Sequence, residues 1–233
     1  MCLLRYPGGK QRAADRLVSF IPPATETLFS PFFGGGSVEL EWLRRRPDGT
    51  VHARDIFTPL VNFWRCVLKG DGPQMAHAAR QFLPLSKAEF GRLQASLRAQ
   101  EGTDFERAVW FFVINRASFS GATLSGGMGN GDRFTASACD RLAQFVPPPG
   151  LRVQSGDVFD SLRRRVERFT ATSCIYLDPP YWLPEGKNKL YGDKGSTHDG
   201  FDHRRLRAIL GVLDARGVNW VVSYNDAEHV REV

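Results

Sequence analysis

Hydrophobic and polar positions follow two rhythms along this chain. Over 10–21, Ala14, Leu17, Val18 and Ile21 fall on one face at helical spacing. An apolar run over 27–33 then meets Gly34-Gly35-Gly36, and Val38, Trp42 and Leu43 predict a second helix behind it. Pro47-Asp48-Gly49 breaks that helix. A short strand is predicted over 51–55, and Leu60, Val61, Trp64 and Leu68 start a further helix. Strand, glycine-rich turn, helix, strand is the opening unit of an α/β domain with a parallel sheet.

The stretch 72–145 reads as mostly helical. Ser86 and Glu89 have capping-box spacing before Phe90, Leu93 and Leu97, and another helix starts near Asp104 with Phe105, Ala108, Val109, Phe112 and Val113. Residues 115–133 are glycine-rich without a core period, which predicts a loop that is mobile or ordered by something it binds. Strand patterns resume at 151–155, 174–178 and 218–223, with a helix at 203–215 that carries Leu206, Ile209, Leu210 and Leu213 and takes Asp202 as its N-cap. The expected organisation is an α/β domain from 1–56 and 151–233, interrupted by a helical insertion at 57–150.

Composition narrows the class. The 233 residues carry 31 Lys+Arg and 25 Asp+Glu, a net charge of +6 that permits a nucleic-acid partner without requiring one. Hydrophobic residues at 42% and charged ones at 24% exclude a disordered or fibrous chain. With no long apolar run and no secretory start, a cytoplasmic protein without membrane contact is expected. The four cysteines, Cys2, Cys66, Cys139 and Cys174, lie far apart, so reduced thiols are expected and no metal site. His198, His203 and His229 likewise lack a metal-ligand spacing, and solvated or capping roles are expected of them.

The densest chemistry is Asp178-Pro179-Pro180-Tyr181, directly after the apolar CIYL. One reading is a proline-rich turn that ends a strand. The other is catalytic. An aromatic amine such as adenine N6 is a poor nucleophile until its nitrogen pyramidalises, and acceptors aimed at its two hydrogens favour that change. The Asp178 carboxylate and the Pro179 carbonyl are two such acceptors. Pro179 and Pro180 hold φ and offer no competing N–H. Tyr181 can stack on a flat base.

A second constellation is Pro31-Phe32-Phe33-Gly34-Gly35-Gly36-Ser37, with Asp55 ending the next predicted strand. Glycines at a strand-to-helix turn admit a ligand close to the backbone, and the acid can accept from ribose hydroxyls. The dinucleotide fingerprint fails because its sixth position is Glu39. A phosphate-binding loop around Gly9-Lys10 fails because Leu4 and Gln11 occupy its defining places. An adenosine-bearing ligand without phosphates, S-adenosylmethionine (SAM), fits better; a plain glycine-rich turn is the alternative.

In order, RYPGGK (5–10), PFFGGGS (31–37), Asp55 and DPPY (178–181) resemble the Dam-like, or D12-class, adenine-N6-specific DNA methyltransferases. INRASFSG (114–121) looks like that family's DNA-contacting hairpin, GDVFDSL (156–162) like its adenine-pocket segment and SYND (223–226) like its last central strand. The resemblance implies a Rossmann-like, SAM-dependent methyltransferase fold in which 57–150 recognises the target. Tyr6, Pro7 and Lys10 would meet the methionine end of SAM, Phe33, Gly34 and Gly36 would border it, and Asp55 would hold its ribose. Asp157 and Val158 would flank its adenine, with Asp178 alongside. The implied substrate is adenine N6 in duplex DNA, flipped out of the stack for chemistry that needs no metal. Such enzymes serve DNA methylation and restriction-modification.

For DNA contact the candidates are Asn115, Arg116, Phe119, Ser120 and Arg133, with Phe119 as a wedge or else a loop anchor. Loop 182–200, with Lys187, Lys189 and Lys194, is a candidate cover for flipped DNA, or simply a flexible loop. Two departures stand out. Residues 120–124 lack the arginine of GATC-reading members, so GATC specificity is not implied, and after SYND the family's C-terminal hairpin is expected to be missing from this sequence or replaced by a different closure of the sheet. An RNA adenine-N6 methyltransferase and an inactive DNA-binding homologue are the alternative functions. Oligomeric state is left open, with a monomer allowed.

Overall fold

The structure is a computed structural model that describes residues 3–6, 8–129, 133–181 and 201–226. In chain order the elements are α1 (Ala14–Val18), β1 (Thr27–Ser30), α2 (Ser37–Arg45), β2 (Thr50–Asp55), α3 (Thr58–Leu68), α4 (Gly72–Arg80) and α5 (Lys87–Arg98). There follow α6 (Asp104–Ala117), α7 (Ala136–Ala143), β3 (Leu151–Ser155), α8 (Val158–Arg165), β4 (Ser173–Leu177), α9 (His203–Ala215) and β5 (Asn219–Val222). The described residues form two compact units. One is α/β and takes in Lys10–Ile56, 148–181 and 201–226; the other is helical and takes in 3–6, 8–9, 57–129 and 133–147.

In the α/β unit the five strands pair in parallel in the order β3-β2-β1-β4-β5. Chain order runs outward from β1 in both directions, so the sheet reverses its winding between β1 and β4. This is the Rossmann-like arrangement expected of the sequence, and the crevice at that reversal is where open α/β sheets bind ligands. Phe29 of β1 sits in register with Ile175 of β4, and both pack with Leu177, Phe159, Leu162, Leu206 and Leu213. Each such side chain contributes about 1.5–3 kcal/mol of burial free energy. β4 ends one residue earlier than its pattern predicts, because Pro179 cannot extend the ladder beyond Asp178.

α1 is shorter than the 10–21 periodicity suggests. Lys10–Ala13 form a turn, with Ala13 N–H donating to Lys10 O at 2.9 Å, and Pro22-Pro23 stop propagation at the other end. In the helical unit, Ser86 caps α5 by accepting from Glu89 N–H at 3.1 Å. The full reciprocal capping box lies at Thr103 and Glu106, where α6 begins. Phe63, Trp64, Phe111 and Phe112 fill this unit's core, with the Phe63 and Phe112 rings stacked at 6.0 Å.

The loop expected over 115–133 needs correction in two respects. Asn115 and Arg116 belong to the last turn of α6. Beyond it the chain is ordered by its own bonds. Phe119 N–H donates to Gly127 O at 3.0 Å, Gly129 N–H to Ala117 O at 2.9 Å, and Ser118 bridges Met128 in antiparallel fashion. The Gln94 amide reaches down from α5 to Gly126 O at 2.8 Å. The expectations for loop 182–200, for His198 and His229, for Cys2 and for the C-terminal hairpin lie outside the described residues. Among the described residues, no helix is long and apolar enough to cross a membrane.

Candidate active site

Every β-strand of the α/β unit points its carboxyl end at the same edge, and the predicted motifs emerge there. The glycine bend follows β1, Asp55 closes β2, Asp157 follows β3, the Asp-Pro-Pro-Tyr ledge follows β4 and Ser223 follows β5.

The bend owes its shape to two residues. Gly36 has φ +68° and is the N-cap of α2; a Cβ there would lie 2.6 Å from Phe33 Cζ, so the ring and the missing side chain fit together. Phe33 is itself tied to β2 by its N–H, which donates to Arg54 O at 2.9 Å. Asp55, buried beside it, accepts from Gly34 N–H at 2.9 Å through Oδ2. The acid expected to hold a ribose thus also braces the glycine turn, which the sequence offered no means of seeing.

Around Asp178 four side chains converge. Lys10 Nζ lies 2.8 Å from Oδ1 and 2.9 Å from Oδ2. The Ser223 hydroxyl donates to Oδ1 at 2.7 Å and shares a 3.2 Å hydrogen bond with Tyr176 OH. Burial pushes the Asp178 carboxyl up, and Lys10, Ser223 and Tyr181 pull it back only in part. Burial also opposes the Lys10 charge, yet Asp178 and Tyr181 outweigh it and hold the ammonium above its ordinary value.

Tyr181 has a stacked neighbour in Tyr224, with centroids 5.5 Å apart and planes 19° from parallel. Lys10 Nζ stands 4.7 Å over the Tyr181 ring centroid. The Tyr224 hydroxyl shares a hydrogen bond with His203 Nδ1, and His203 packs edge-on against Phe201, which stacks on Phe159. His203, expected to be solvated or capping, is the first residue of α9 and a strut of this aromatic row. Asp202 caps that helix by accepting from Arg205 N–H at 2.9 Å, as its pattern predicts.

Sequence reading used Glu39 only as the residue that breaks a dinucleotide fingerprint. In the fold it is buried in α2, its carboxylate accepting from the Ser30 hydroxyl at the end of β1. Burial lifts its pKa to about 7, the Ser30 bond opposes that rise, and the charge of Asp178 adds to it. A glutamate at an otherwise apolar position of α2 was the available signal.

Other predicted residues sort by unit. Asp157 caps α8, its Oδ1 accepting from Phe159 and Asp160 N–H at 2.9 and 3.1 Å, and Val158 is buried behind it. Pro179 is buried and Pro180 half-buried. Pro7 lies outside the described residues. Tyr6 belongs to the helical unit, where its carbonyl accepts from Gly9 N–H at 2.9 Å.

In that unit Asn115 is fully buried. It accepts from Arg5 N–H at 2.9 Å and donates to Arg5 O at 2.7 Å and Gly121 O at 3.2 Å. Its polar atoms therefore tie the amino-terminal motif to the hairpin rather than face a ligand. Arg116 is half-buried, Ser120 has φ +53°, and Phe119 is 59% exposed with the Arg133 guanidinium 5.8 Å from its ring centroid.

Comparison with known proteins agrees with this edge-on architecture. The D12 class N6 adenine-specific DNA methyltransferase family matches residues 6–233. The retron Ec67 DNA adenine methylase of Escherichia coli is 23% identical over 240 residues, covering 99% of this chain and 79% of that protein. A family match over nearly the whole length, on a Rossmann-like sheet that gathers the Asp-Pro-Pro-Tyr ledge and the glycine bend at one edge, makes the chain a member of the D12 class N6 adenine-specific DNA methyltransferase family.

Proposed function

We propose that this protein transfers a methyl group from SAM to adenine N6 in duplex DNA, with the target base turned out of the helix into the site at the β1–β4 reversal. The observation that carries this reading is the placement of Asp178 one residue past β4 with its carboxylate clasped by Lys10 and Ser223. A half-buried, hydrogen-bonded acceptor of that kind suits an amine that must present both its hydrogens.

The residues fit SAM by their own shapes. Gly36 has no Cβ to displace the Phe33 ring, which holds the bend's backbone bare at the sheet edge, and Asp55 closes the neighbouring strand. Phe33, Gly34 and Gly36 would border the ligand, Asp55 would reach its ribose, Asp157 and Val158 its adenine, and Lys10, with Tyr6 and Pro7, its methionine end. When bound, SAM supplies an electrophilic methyl carbon on a sulfonium.

Asp178 and the Pro179 carbonyl accept the two amine hydrogens and so localise the lone pair on N6. Tyr181, held by its stack on Tyr224, supports the face of the base. As N6 gains the methyl it becomes cationic, and the carboxylate stabilises that charge and accepts the proton that leaves. Burial raises the basicity of Asp178 in the direction this step needs. Ser223 keeps Oδ1 in place throughout.

In the helical unit, Phe119 is the candidate wedge for the gap left by the flipped base, with Arg116, Ser120 and Arg133 contacting the DNA backbone or base edges. Asn115 acts there by bracing rather than by touching DNA.

Incubation with radiolabelled SAM and duplex DNA, single-stranded DNA or RNA tests the reading. Label is expected in duplex adenine, and base-resolution sequencing then identifies the methylated site. Transfer to RNA instead would move the substrate class. Neither transfer nor a thermal shift with SAM would favour a DNA-binding homologue without activity.

A further inference from the structure

Lys10 already occupies the Asp178 carboxylate that the reading above gives to the target amine. Its ammonium lies 2.8 and 2.9 Å from the two carboxylate oxygens of Asp178 and 4.7 Å over the ring of Tyr181. We propose that Lys10 is a specificity-determining residue: an internal stand-in for the target amine, displaced only by a base that brings N–H donors of its own. The proposal rests on the DNA-methylation reading above.

The argument is one of exchange. A base entering the site must replace the charge-assisted bonds that Lys10 makes to Asp178. An exocyclic amine does so. A carbonyl at the same place would set acceptor against acceptor, and an empty sugar would replace nothing. The geometry permits the exchange. The Lys10 stem is flexible and springs from the turn before α1, so its head can leave without disturbing the sheet. Ser223 retains Asp178 at 2.7 Å and Tyr224 retains Tyr181 while Lys10 is away. With the side chains 16% and 22% exposed, the pair is shielded enough to compete and open enough to be reached.

The test is duplex affinity without cofactor, using the methylated adenine identified by sequencing and a second duplex with an abasic site at that position. Removing a cation ordinarily weakens DNA binding. The exchange model gives the opposite sign for Lys10→Met: about tenfold tighter binding of the adenine duplex, since the competing state is gone, and no tightening on the abasic one. Lys10→Gln, which keeps a neutral N–H donor, should tighten by less, and it carries the same comparison should the Met variant fail to fold. Unchanged or weaker binding of the adenine duplex by either folded variant overturns the role. Failure of the methylation reading looks different, because the wild-type protein would then methylate no DNA.

Discussion

The Lys10 ammonium bridges both carboxylate oxygens of Asp178, at 2.8 and 2.9 Å, although 168 positions separate the two residues along the chain. One precedes α1 and the other follows β4, and parallel pairing of β1 with β4 brings them to one sheet edge. For Asp178→Ala the expected outcome is loss of methyl transfer by about a hundred- to a thousandfold, the scale seen when a preorganised electrostatic partner is removed. SAM should still raise the melting temperature of the variant. Normal turnover would remove Asp178 from the mechanism.

Gly36→Ala tests the glycine bend. The residue has φ +68°, and the new Cβ would stand 2.6 Å from the Phe33 ring. Strain and overpacking together should cost about 1–3 kcal/mol in urea unfolding. SAM affinity should fall as well, since Phe33 must move. A variant with wild-type stability and affinity would show that the bend has no tight constraint.

Glu39 predicts a pH effect of defined sign. Its carboxyl is raised to about 7 in the fold, so burial favours the neutral form. That contribution is complete below the ordinary glutamate range and is lost as pH rises through about 7. Glu39→Gln keeps the neutral shape and a partner for Ser30, but cannot ionise. The variant should match the wild type near pH 4.5 and become more stable above pH 7, by at most about 3 kcal/mol. Chemical denaturation at both pH values measures the difference. Parallel behaviour of the two proteins would mean that Glu39 ionises in the fold as it does in water.

Gly121 makes the hairpin's approach to the amino-terminal motif possible. With φ +78°, it presents its backbone where a Cβ would lie 2.1 Å from Arg5 O. Gly121→Ala should therefore destabilise the protein by about 3 kcal/mol, because the obstructing atom is backbone and cannot rotate away. Asn115, bonded reciprocally to Arg5, would lose its alignment in the same variant. Unaltered urea unfolding would show that the segment has slack.

Much of the α/β unit was legible in sequence because its signals are local. Alternation or apolar runs mark strands, three glycines mark the bend, and a proline pair stiffens the ledge after β4. Helix boundaries drifted where two neighbours compete: α1 lost its ends to a turn and a proline pair, while α6 extended through Asn115 and Arg116, which composition had assigned to a loop.

What the sequence determined by itself was therefore the kind of fold and the residues that could do chemistry, since both are written in short-range patterns of period and residue type. Tertiary structure alone decided who touches whom. It turned Asn115 inward as a brace, buried Glu39 against Ser30, made Asp55 a support for the glycine bend, and set Lys10 on Asp178. Those contacts join positions whose separation along the chain carries no periodic signal. The contacts of Glu39, Asp55 and Lys10 exist because packing a parallel sheet brings its carboxyl ends to one edge, and those of Asn115 because a buried amide in the helical unit must likewise find partners.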